Sequence, residues 1–148
     1  MNKILVKKVR AIAKVPFKST SGSAGFDVCA AISESITIKK ETIAKIPSGI
    51  AICLPKEESV ALLMPRSGLS INEGITLANA VGVIDSDFRG EIIVALKNFS
   101  NKDYILNPGE KIAQLLFFNL AQFSLEVTQE NLPNTLRGTG GLGSTGKN

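Results

Sequence analysis

The sequence predicts an all-β domain, built as a sandwich or a barrel. Short β-type segments separated by turn residues run along almost all of the 148 residues. No segment has a helical stripe longer than about one turn, which would follow Ser67. Apolar residues make up 44% of the chain and charged residues 20%, which is ordinary for a globular protein with a hydrophobic core.

Two segments alternate apolar and polar residues, as strands with one buried face do. "SITIKK" directs Ile36 and Ile38 to one side, and the later "FSLEVTQE" does the same with Phe123, Leu125 and Val127. Both are therefore predicted to be strands.

Four further segments are more continuously apolar, as expected for strands buried on both faces. They are "GIAICLP", "SVALLMP", "EIIVALKN" and "KIAQLLFFNL". Turn signals stand at 47–49 (Pro-Ser-Gly), 72–74 (Asn-Glu-Gly) and 107–109 (Asn-Pro-Gly). With no internal repeat, we expect one domain over 1–136 and a flexible Gly-rich C-terminal arm over 137–148.

The absence of His limits the chemistry that the chain can perform. The sequence has no His and two Cys, which excludes Ser-His-Asp and Cys-His catalysis and leaves too few soft ligands for a zinc site. A catalytic base is expected to be a carboxylate, and a metal to be a hard cation held by oxygen atoms. Cys29 and Cys53 lie among apolar residues and are predicted to be buried free thiols.

The net charge of +4 comes from scattered Lys residues rather than a dense basic stripe interleaved with aromatics. Stable nucleic-acid binding is therefore not expected. No apolar run approaches the ~18 residues that a membrane span needs. The first residues, "MNKILVKKVRAIAK", place Lys and Arg inside the apolar stretch and have no signal-peptide cleavage site, so the cytoplasm is the expected location.

The end of the chain matches two phosphate-binding patterns, G-x-G-x-x-G and G-x-x-x-x-G-K, within "GTGGLGSTGKN". Both patterns need a following helix, which we do not expect here. Glycine-rich backbone can nonetheless curl so that successive N–H groups converge on an anion.

Two other stretches concentrate polar residues inside an apolar context. "GVIDSDFRGEI" interrupts a strand pattern with Asp85, Asp87, Arg89 and Glu91. Of these, Arg89 and Glu91 are expected to be structural, pairing beside the site or across subunits, and Asp87 to be solvated. "PRSGLS" offers a guanidinium, a hydroxyl and a free N–H, which are the usual donors for phosphate.

Five stretches in this order and spacing resemble the five motifs of the trimeric dUTP pyrophosphatases. They are "AGFDVCA", "PRSGLS", "GVIDSDFRGEI", "GEKIAQLLF" and the Gly-rich tail, and they span residues 24–146. The resemblance implies a distorted jelly-roll fold and a homotrimer with shared active sites. It also implies Mg²⁺-dependent hydrolysis of dUTP to dUMP and diphosphate, which keeps uracil out of DNA and supplies dUMP.

For the nucleoside, the resemblance implies that Asp85 holds the sugar 3′-OH and the water that attacks the α-phosphorus. Asn79 and the main chain of the hairpin, including Gly82 and Val83, would read uracil. Phe88 stands where the family usually has Tyr, and its ring would leave no room for a 2′-OH.

For the triphosphate, the resemblance implies that Arg66, Ser67 and Gly68 bind the phosphates, with Ser67 near the α–β bridge. Gln114 would lie on the phosphate side and touch a water on the metal. Asp27 would be linked to Mg²⁺ through water, or would act as structural support. Asp85, Arg66 and Gln114 are the predicted catalytic residues.

The tail is implied to close over the β- and γ-phosphates through Arg137, Gly143, Ser144 and Thr145. Leu142 occupies the place of the family's usual aromatic residue between the glycines. Its cap over the base would be apolar but not aromatic.

Two alternative functions stay open. A dCTP deaminase shares this fold and attacks the base, and a nucleotide-binding regulator would keep the pocket without turnover. Asn79, Asp85 and the full Gly-rich tail favour the pyrophosphatase over the deaminase, and the intact Asp85 argues against the regulator.

Overall fold

The computed structural model describes residues 3–142, which contain eleven strands and one short helix. In chain order the elements are β1 (Leu5–Lys8), β2 (Phe26–Cys29), β3 (Ile36–Ile38), β4 (Ile43–Pro47), β5 (Ile50–Cys53), β6 (Ser59–Met64), α1 (Ser67–Glu73), β7 (Ile75–Leu77), β8 (Gly82–Ile84), β9 (Ile93–Asn98), β10 (Tyr104–Leu106) and β11 (Lys111–Asn119). The all-β prediction is confirmed.

The strands form four antiparallel sheets around a common core. The largest has the order β2-β11-β6-β8, a second has the order β4-β9-β7, and β1-β5 and β10-β3 form two pairs. Over residues 3–142 these sheets pack in the manner of a sandwich and do not close into a barrel.

The core takes side chains from all of these layers. Ile38, Ile46, Leu96, Leu106 and Leu115 are each no more than 1% exposed and belong to five different strands. Burying one such side chain contributes about 1.5–3 kcal/mol relative to leaving it in water. The layers are therefore held together chiefly by aliphatic packing.

The three predicted turns are confirmed by their glycines. Gly49, Gly74 and Gly109 have φ angles of 72°, 70° and 71°, in the left-handed region that favours glycine. At Gly49 an added Cβ would lie 2.5 Å from the Cβ of Ala13 and 2.8 Å from that of Ala31. This turn can therefore hold only glycine without displacing its neighbours.

The predicted internal strands correspond to β3, β5, β6, β9 and β11, with one difference in burial. Strand β9 alternates: Val94 and Leu96 are fully buried, whereas Ile93 is 45% exposed. The prediction of burial on both faces is therefore wrong for "EIIVALKN", because β9 packs only one face on the core. The helical turn after Ser67 is confirmed as the seven-residue helix α1.

The prediction of a strand at "FSLEVTQE" is wrong in the single chain. These residues lie in what we call the C-terminal segment (residues 121–142), which forms neither strand nor helix and is almost wholly exposed. Phe123, Leu125 and Val127 are 87%, 101% and 97% exposed. A strand needs a hydrogen-bonded neighbour, and no part of residues 3–142 pairs with this segment.

Both cysteines are free thiols, as predicted, but the prediction of burial is confirmed only for Cys29. Cys29 is buried, and this burial raises the pKa of its thiol, while Cys53 is half-buried. Within residues 3–142, no helix has the length and apolar character that crossing a membrane requires.

Candidate active site

Strand register brings three of the predicted site residues together on one sheet. Gln114 of β11 lies opposite Asp27 of β2 on one side and opposite Met64 of β6 on the other. Arg66 follows two residues after Met64, at the start of α1. We call this group, with the exposed Ser67 and Gly68, the phosphate half: Asp27, Arg66, Ser67, Gly68 and Gln114.

Asp27 is the anchor of the phosphate half. It is 9% exposed, and its Oδ1 lies 3.1 Å from Nε of Arg66. Its Oδ2 lies 2.8 Å from Nζ of Lys111 and accepts a hydrogen bond from the Ser19 hydroxyl at 2.7 Å. Burial by itself would raise the pKa of Asp27, but Lys111, Ser19 and Arg66 together lower it below its ordinary value. Asp27 is therefore a carboxylate at neutral pH and fixes one edge of the Arg66 guanidinium.

The other side chains of the phosphate half are also held in place. Arg66 donates from Nη1 to the carbonyl of Lys111 at 3.1 Å, and Gln114 donates from Nε2 to the carbonyl of Pro65 at 3.0 Å. A Cβ added to Gly25 would lie 2.4 Å from Oε1 of Gln114, so glycine there makes room for the carboxamide. The half is preorganised before any ligand arrives.

The second group of predicted residues lines a cleft of about 370 Å³ beside β8. We call this group of residues the base half: Asn79, Gly82, Val83, Asp85 and Phe88. The cleft walls also include apolar side chains of β6 and β9. A mostly apolar cleft with a few polar groups is the usual form of a small-molecule site.

Within the base half, Asp85 is exposed and Phe88 is 43% exposed. The Asp85 carbonyl accepts a hydrogen bond from the Phe88 N–H at 3.2 Å, which turns the chain directly after β8. Glu91, also at the cleft, forms an ion pair with Arg10 at 2.7 Å. This pair agrees with the expectation that Glu91 pairs beside the site, and its structural role stays a prediction.

Asp85 and Arg66 lie toward opposite ends of β6 within one chain. In the β6–β8 register Ala61 lies opposite Ile84, three strand residues or roughly 10 Å before Met64. From that level the chain continues beyond Ile84 to Asp85 in one direction and beyond Met64 to Arg66 in the other. The residues of the phosphate half are not among those that line the cleft.

The tail residues stand apart from both halves in sequence and are only partly described. Arg137 donates from Nε to the carbonyl of Gly140 at 3.0 Å, and Leu142 is fully exposed. The predicted phosphate contacts of Gly143, Ser144 and Thr145 lie outside the described residues.

Sequence reasoning missed three residues that support the site: Ser19, Lys111 and Arg10. Lys111 carried a weak signal, because it stands three residues before Gln114 in the same motif. Ser19 and Arg10 carried none, since only the folded chain brings them to Asp27 and Glu91. Among residues 3–142, no group of three or more His, Cys, Asp or Glu residues is arranged to hold a metal ion.

Comparison with known proteins decides the family. A family model described as dUTPase matches residues 11–146. The chain belongs to the dUTPase family. It is 47% identical over 137 residues to the deoxyuridine 5′-triphosphate nucleotidohydrolase of Rickettsia prowazekii (strain Madrid E), covering 91% of this chain and 90% of that one. It is 40% identical over 145 residues to that of Legionella pneumophila (strain Paris), covering 98% and 95%.

Solved structures of this family share the fold. A dUTPase mutant of Staphylococcus bacteriophage 80alpha with dUpNHpp superposes with a TM-score of 0.83 at 23% identity, covering 99% of both chains. A mutant dUTPase from phage phi11 of S. aureus, in which a structural Mg(II) ion is coordinated, gives 0.79 at 22% identity, covering 88% of this chain and 99% of that one.

Proposed function

We propose that this protein hydrolyses dUTP to dUMP and diphosphate. The observation that carries the proposal is the exposed carboxylate of Asp85 beside a cleft of nucleoside size, in a chain that belongs to the dUTPase family. The two relatives, at 47% and 40% identity, are named as deoxyuridine 5′-triphosphate nucleotidohydrolases, which supports the same reaction here. We expect the protein to act in the cytoplasm.

Asp85 is the proposed general base. The chain has no His, so a carboxylate must accept the proton of the attacking water. The water adds to the α-phosphorus while the bond to the bridging oxygen breaks, which yields dUMP and diphosphate. The reaction needs no covalent intermediate.

The phosphate half neutralises and orients the triphosphate. The N–H groups of Arg66 that Asp27 and Lys111 do not use are free to donate to phosphate oxygens. Ser67 and Gly68, exposed next to Arg66, add a hydroxyl and a main-chain N–H, and Gln114 adds a carboxamide. Donors fixed before binding cost no reorganisation when charge develops in the transition state.

The base half selects the nucleoside. Asn79 and the main chain at Gly82 and Val83 are proposed to read uracil, because the side chain and backbone line one wall of the cleft. The ring of Phe88 is proposed to pack against the deoxyribose and to exclude a 2′-OH. Leu142 is proposed to pack over the uracil as an apolar, non-aromatic cap.

Magnesium is the proposed cofactor. The oxygen-rich, His-free donors fit a hard cation, and Mg²⁺ commonly keeps several waters and binds substrate phosphates instead of a complete protein cage. When bound, it would neutralise the triphosphate and polarise the α-phosphorus. Asp27 would reach it only through water, because Arg66, Lys111 and Ser19 already contact both of its oxygens.

The working site is proposed to form between copies of the chain, in a homotrimer. The divergence of Asp85 and Arg66 from β6 supports this, since one nucleotide must contact both. The C-terminal segment supports it as well: its apolar side chains are exposed and lack a partner within residues 3–142. We propose that the segment crosses to a neighbour and brings Arg137 and the Gly-rich end over the phosphates.

Substitution of Asp85 tests the reaction and its base. Asp85→Asn is expected to keep binding of a non-hydrolysable dUTP analogue within a few-fold while kcat falls by roughly 10²–10⁴, the scale of general-base loss. Pyrophosphate release from dUTP and product analysis on dCTP would be measured in parallel. Retention of more than about a tenth of the wild-type kcat would remove Asp85 from this role. Deamination of dCTP without pyrophosphate release would instead identify the deaminase.

A further inference from the structure

The loop between β8 and β9 carries both groups that the proposed function assigns to the reacting end of the nucleoside. We call residues 85–90 the Asp85 loop; it holds Asp85 and Phe88. Its one backbone–backbone hydrogen bond in the described chain is the 3.2 Å bond from the Phe88 N–H to the Asp85 carbonyl. An exposed loop with so little backbone pairing needs other contacts to keep one conformation.

Arg89 supplies such contacts inside the loop. Its Nη1 donates to the carbonyl of Ser86 at 2.7 Å and to the carbonyl of Phe88 at 2.9 Å. The Arg89 side chain lies on the side of the loop that faces β1 and β5, where it lines a groove with Lys7 and Cys53. Arg89 therefore crosslinks the loop backbone from the side away from the cleft. Asp85 and Phe88 are the residues of the loop that line the cleft.

Glu91 anchors the end of the loop. Its Oε1 accepts hydrogen bonds from Nε of Arg10 at 2.7 Å and from the Gly49 N–H at 2.8 Å, and its Oε2 accepts one from Nη2 of Arg10 at 3.0 Å. The hydrogen bond from Arg10 is the main reason that the pKa of Glu91 lies below its ordinary value. Next to it, the Ile92 N–H donates to the carbonyl of Ile50 at 2.9 Å. The bidentate contact between Arg10 and Glu91 thus holds the chain in place where the loop ends.

The position of the Phe88 ring depends on this backbone path. A Cβ added to Gly90 would lie 2.7 Å from Cζ of Phe88, so the ring rests directly on the glycine backbone. Phe88 has no hydroxyl that could fix it by a hydrogen bond. Any shift of the loop would therefore move the ring.

We propose that Arg89 and the Arg10–Glu91 pair are positioning residues that fix Asp85 against the α-phosphate and Phe88 against the sugar. This rests on the roles that the proposed function gives to Asp85 and Phe88. A misplacement of about 1 Å at a reacting group can cost on the order of 10²-fold in rate. Loosening the loop should lower kcat through Asp85 and weaken discrimination against ribose through Phe88.

The experiment compares Arg10→Gln and Arg89→Gln with the conservative Arg10→Lys and Arg89→Lys. For each, kcat and KM for dUTP, the ratio of kcat/KM between dUTP and UTP, and Tm are measured. Both Gln variants should lose about ten-fold or more in kcat and in the dUTP/UTP ratio, and Arg10→Lys should recover part of both. Arg89→Lys should recover less, because one ammonium cannot reproduce the forked geometry of a guanidinium.

Lys102→Met is the matched control, because it removes an exposed ion pair with Glu73 (3.7 Å) far along the chain from the loop. It should leave kcat and the dUTP/UTP ratio unchanged. If the Gln variants lower only Tm, with kcat and the ratio within about two-fold of wild type, the pairs merely stabilise the fold and the proposal is wrong.

The same assay separates this inference from the proposed function. Loss of activity in Asp85→Asn with normal kinetics in all Arg variants overturns the positioning role alone. Normal activity in Asp85→Asn overturns the role of Asp85, on which the positioning role depends. If Arg10→Gln does not fold, Arg89→Gln decides, because Arg89 is exposed and its side chain donates hydrogen bonds to the loop carbonyls of Ser86 and Phe88.

Discussion

At the scale of single residues, the buried carboxylate of Asp27 determines the orientation of charged side chains in the candidate site. Asp27 joins Lys111, Ser19 and Arg66 in one network, and the contact with Arg66 sets the direction of a phosphate-binding guanidinium. The network lies at the junction of β2, β11 and α1. It therefore couples the geometry of the site to the stability of the sheet.

The lowered pKa of Asp27 leads to a prediction on stability. A carboxyl whose pKa is depressed by folding stabilises the folded state above its unfolded value of ~3.9, and this contribution is lost as the pH falls through the folded value. Asp27→Asn should therefore lower the free energy of unfolding by about 1–3 kcal/mol at pH 7. The difference from wild type should shrink below about pH 4.

Urea unfolding at a fixed protein concentration, from neutral pH down to about pH 3, measures this difference. The exposed Asp87 provides the control, and Asp87→Asn should change stability little at any pH. A difference for Asp27→Asn that stays constant across the range would mean that its charge does not stabilise the fold.

At the scale of elements, strand register assembles the site. Strand β11 is central because it pairs with β2 on one side and β6 on the other. This pairing places Asp27, Gln114 and the residues after Met64 side by side, although they are distant in sequence. The longer apolar strands β5, β6, β9 and β11, and the alternating β3, could be predicted from apolar pattern and turn residues. The register could not, because it depends on which strands are neighbours and on the irregularity between Lys111 and Ala113.

The C-terminal segment shows what an apolar pattern alone leaves open. Phe123, Leu125 and Val127 alternate as in a strand, yet each is at least 87% exposed in the single chain. Exposed alternating apolar residues favour pairing with the sheet of another copy. The pattern thus predicted the conformation that the segment is suited to adopt, but could not identify its partner.

This leads to a prediction on assembly. Burying a Phe and a Leu side chain contributes roughly 3–6 kcal/mol together, so Phe123→Ser/Leu125→Ser should weaken self-association by about 10²-fold or more. Activity per subunit should then depend on protein concentration. The control Ser124→Ala/Glu126→Ala changes the alternate positions of the segment and should assemble nearly as the wild type does.

Sedimentation and dUTP hydrolysis over a range of concentrations measure both effects. If the Ser variant has the mass and activity of the wild type at every concentration, the segment does not join the subunits. Circular dichroism should show that both variants keep the β-sheet spectrum of the folded core, because residues 3–119 contain none of the substitutions.

At the scale of the whole molecule, the fold class and the identity of the motifs could be predicted more fully than the arrangement of the site. Absence of His, the strand pattern and the five motifs led to the family. Nothing in the sequence indicates that Asp85 and Arg66 leave β8 and β6 in opposite directions. That separation follows from antiparallel pairing, which only the folded chain fixes.

The final prediction uses this separation. If one nucleotide contacts the phosphate half of one subunit and the base half of another, two inactive variants should complement each other. Arg66→Ala damages only the phosphate half, and Asp85→Asn damages only the base half. After unfolding and refolding together in equal amounts, random assembly in a closed ring should join an intact Arg66 to an intact Asp85 in about a third of the sites of each mixed trimer, or about a quarter of all sites.

The measurement is dUTP hydrolysis by the refolded mixture, compared with each variant refolded alone and with the two mixed without unfolding. Differently sized tags on the two variants allow the mixed trimers to be separated and confirmed. A mixture of Asp85→Asn with a chain truncated before Arg137 tests the arm in the same way, because an intact arm and an intact Asp85 can then meet only between subunits. Activity should approach about a quarter of the wild-type value in both mixtures if sites are shared. Confirmed mixed trimers without activity would place the two halves, and the arm, at a site within one subunit.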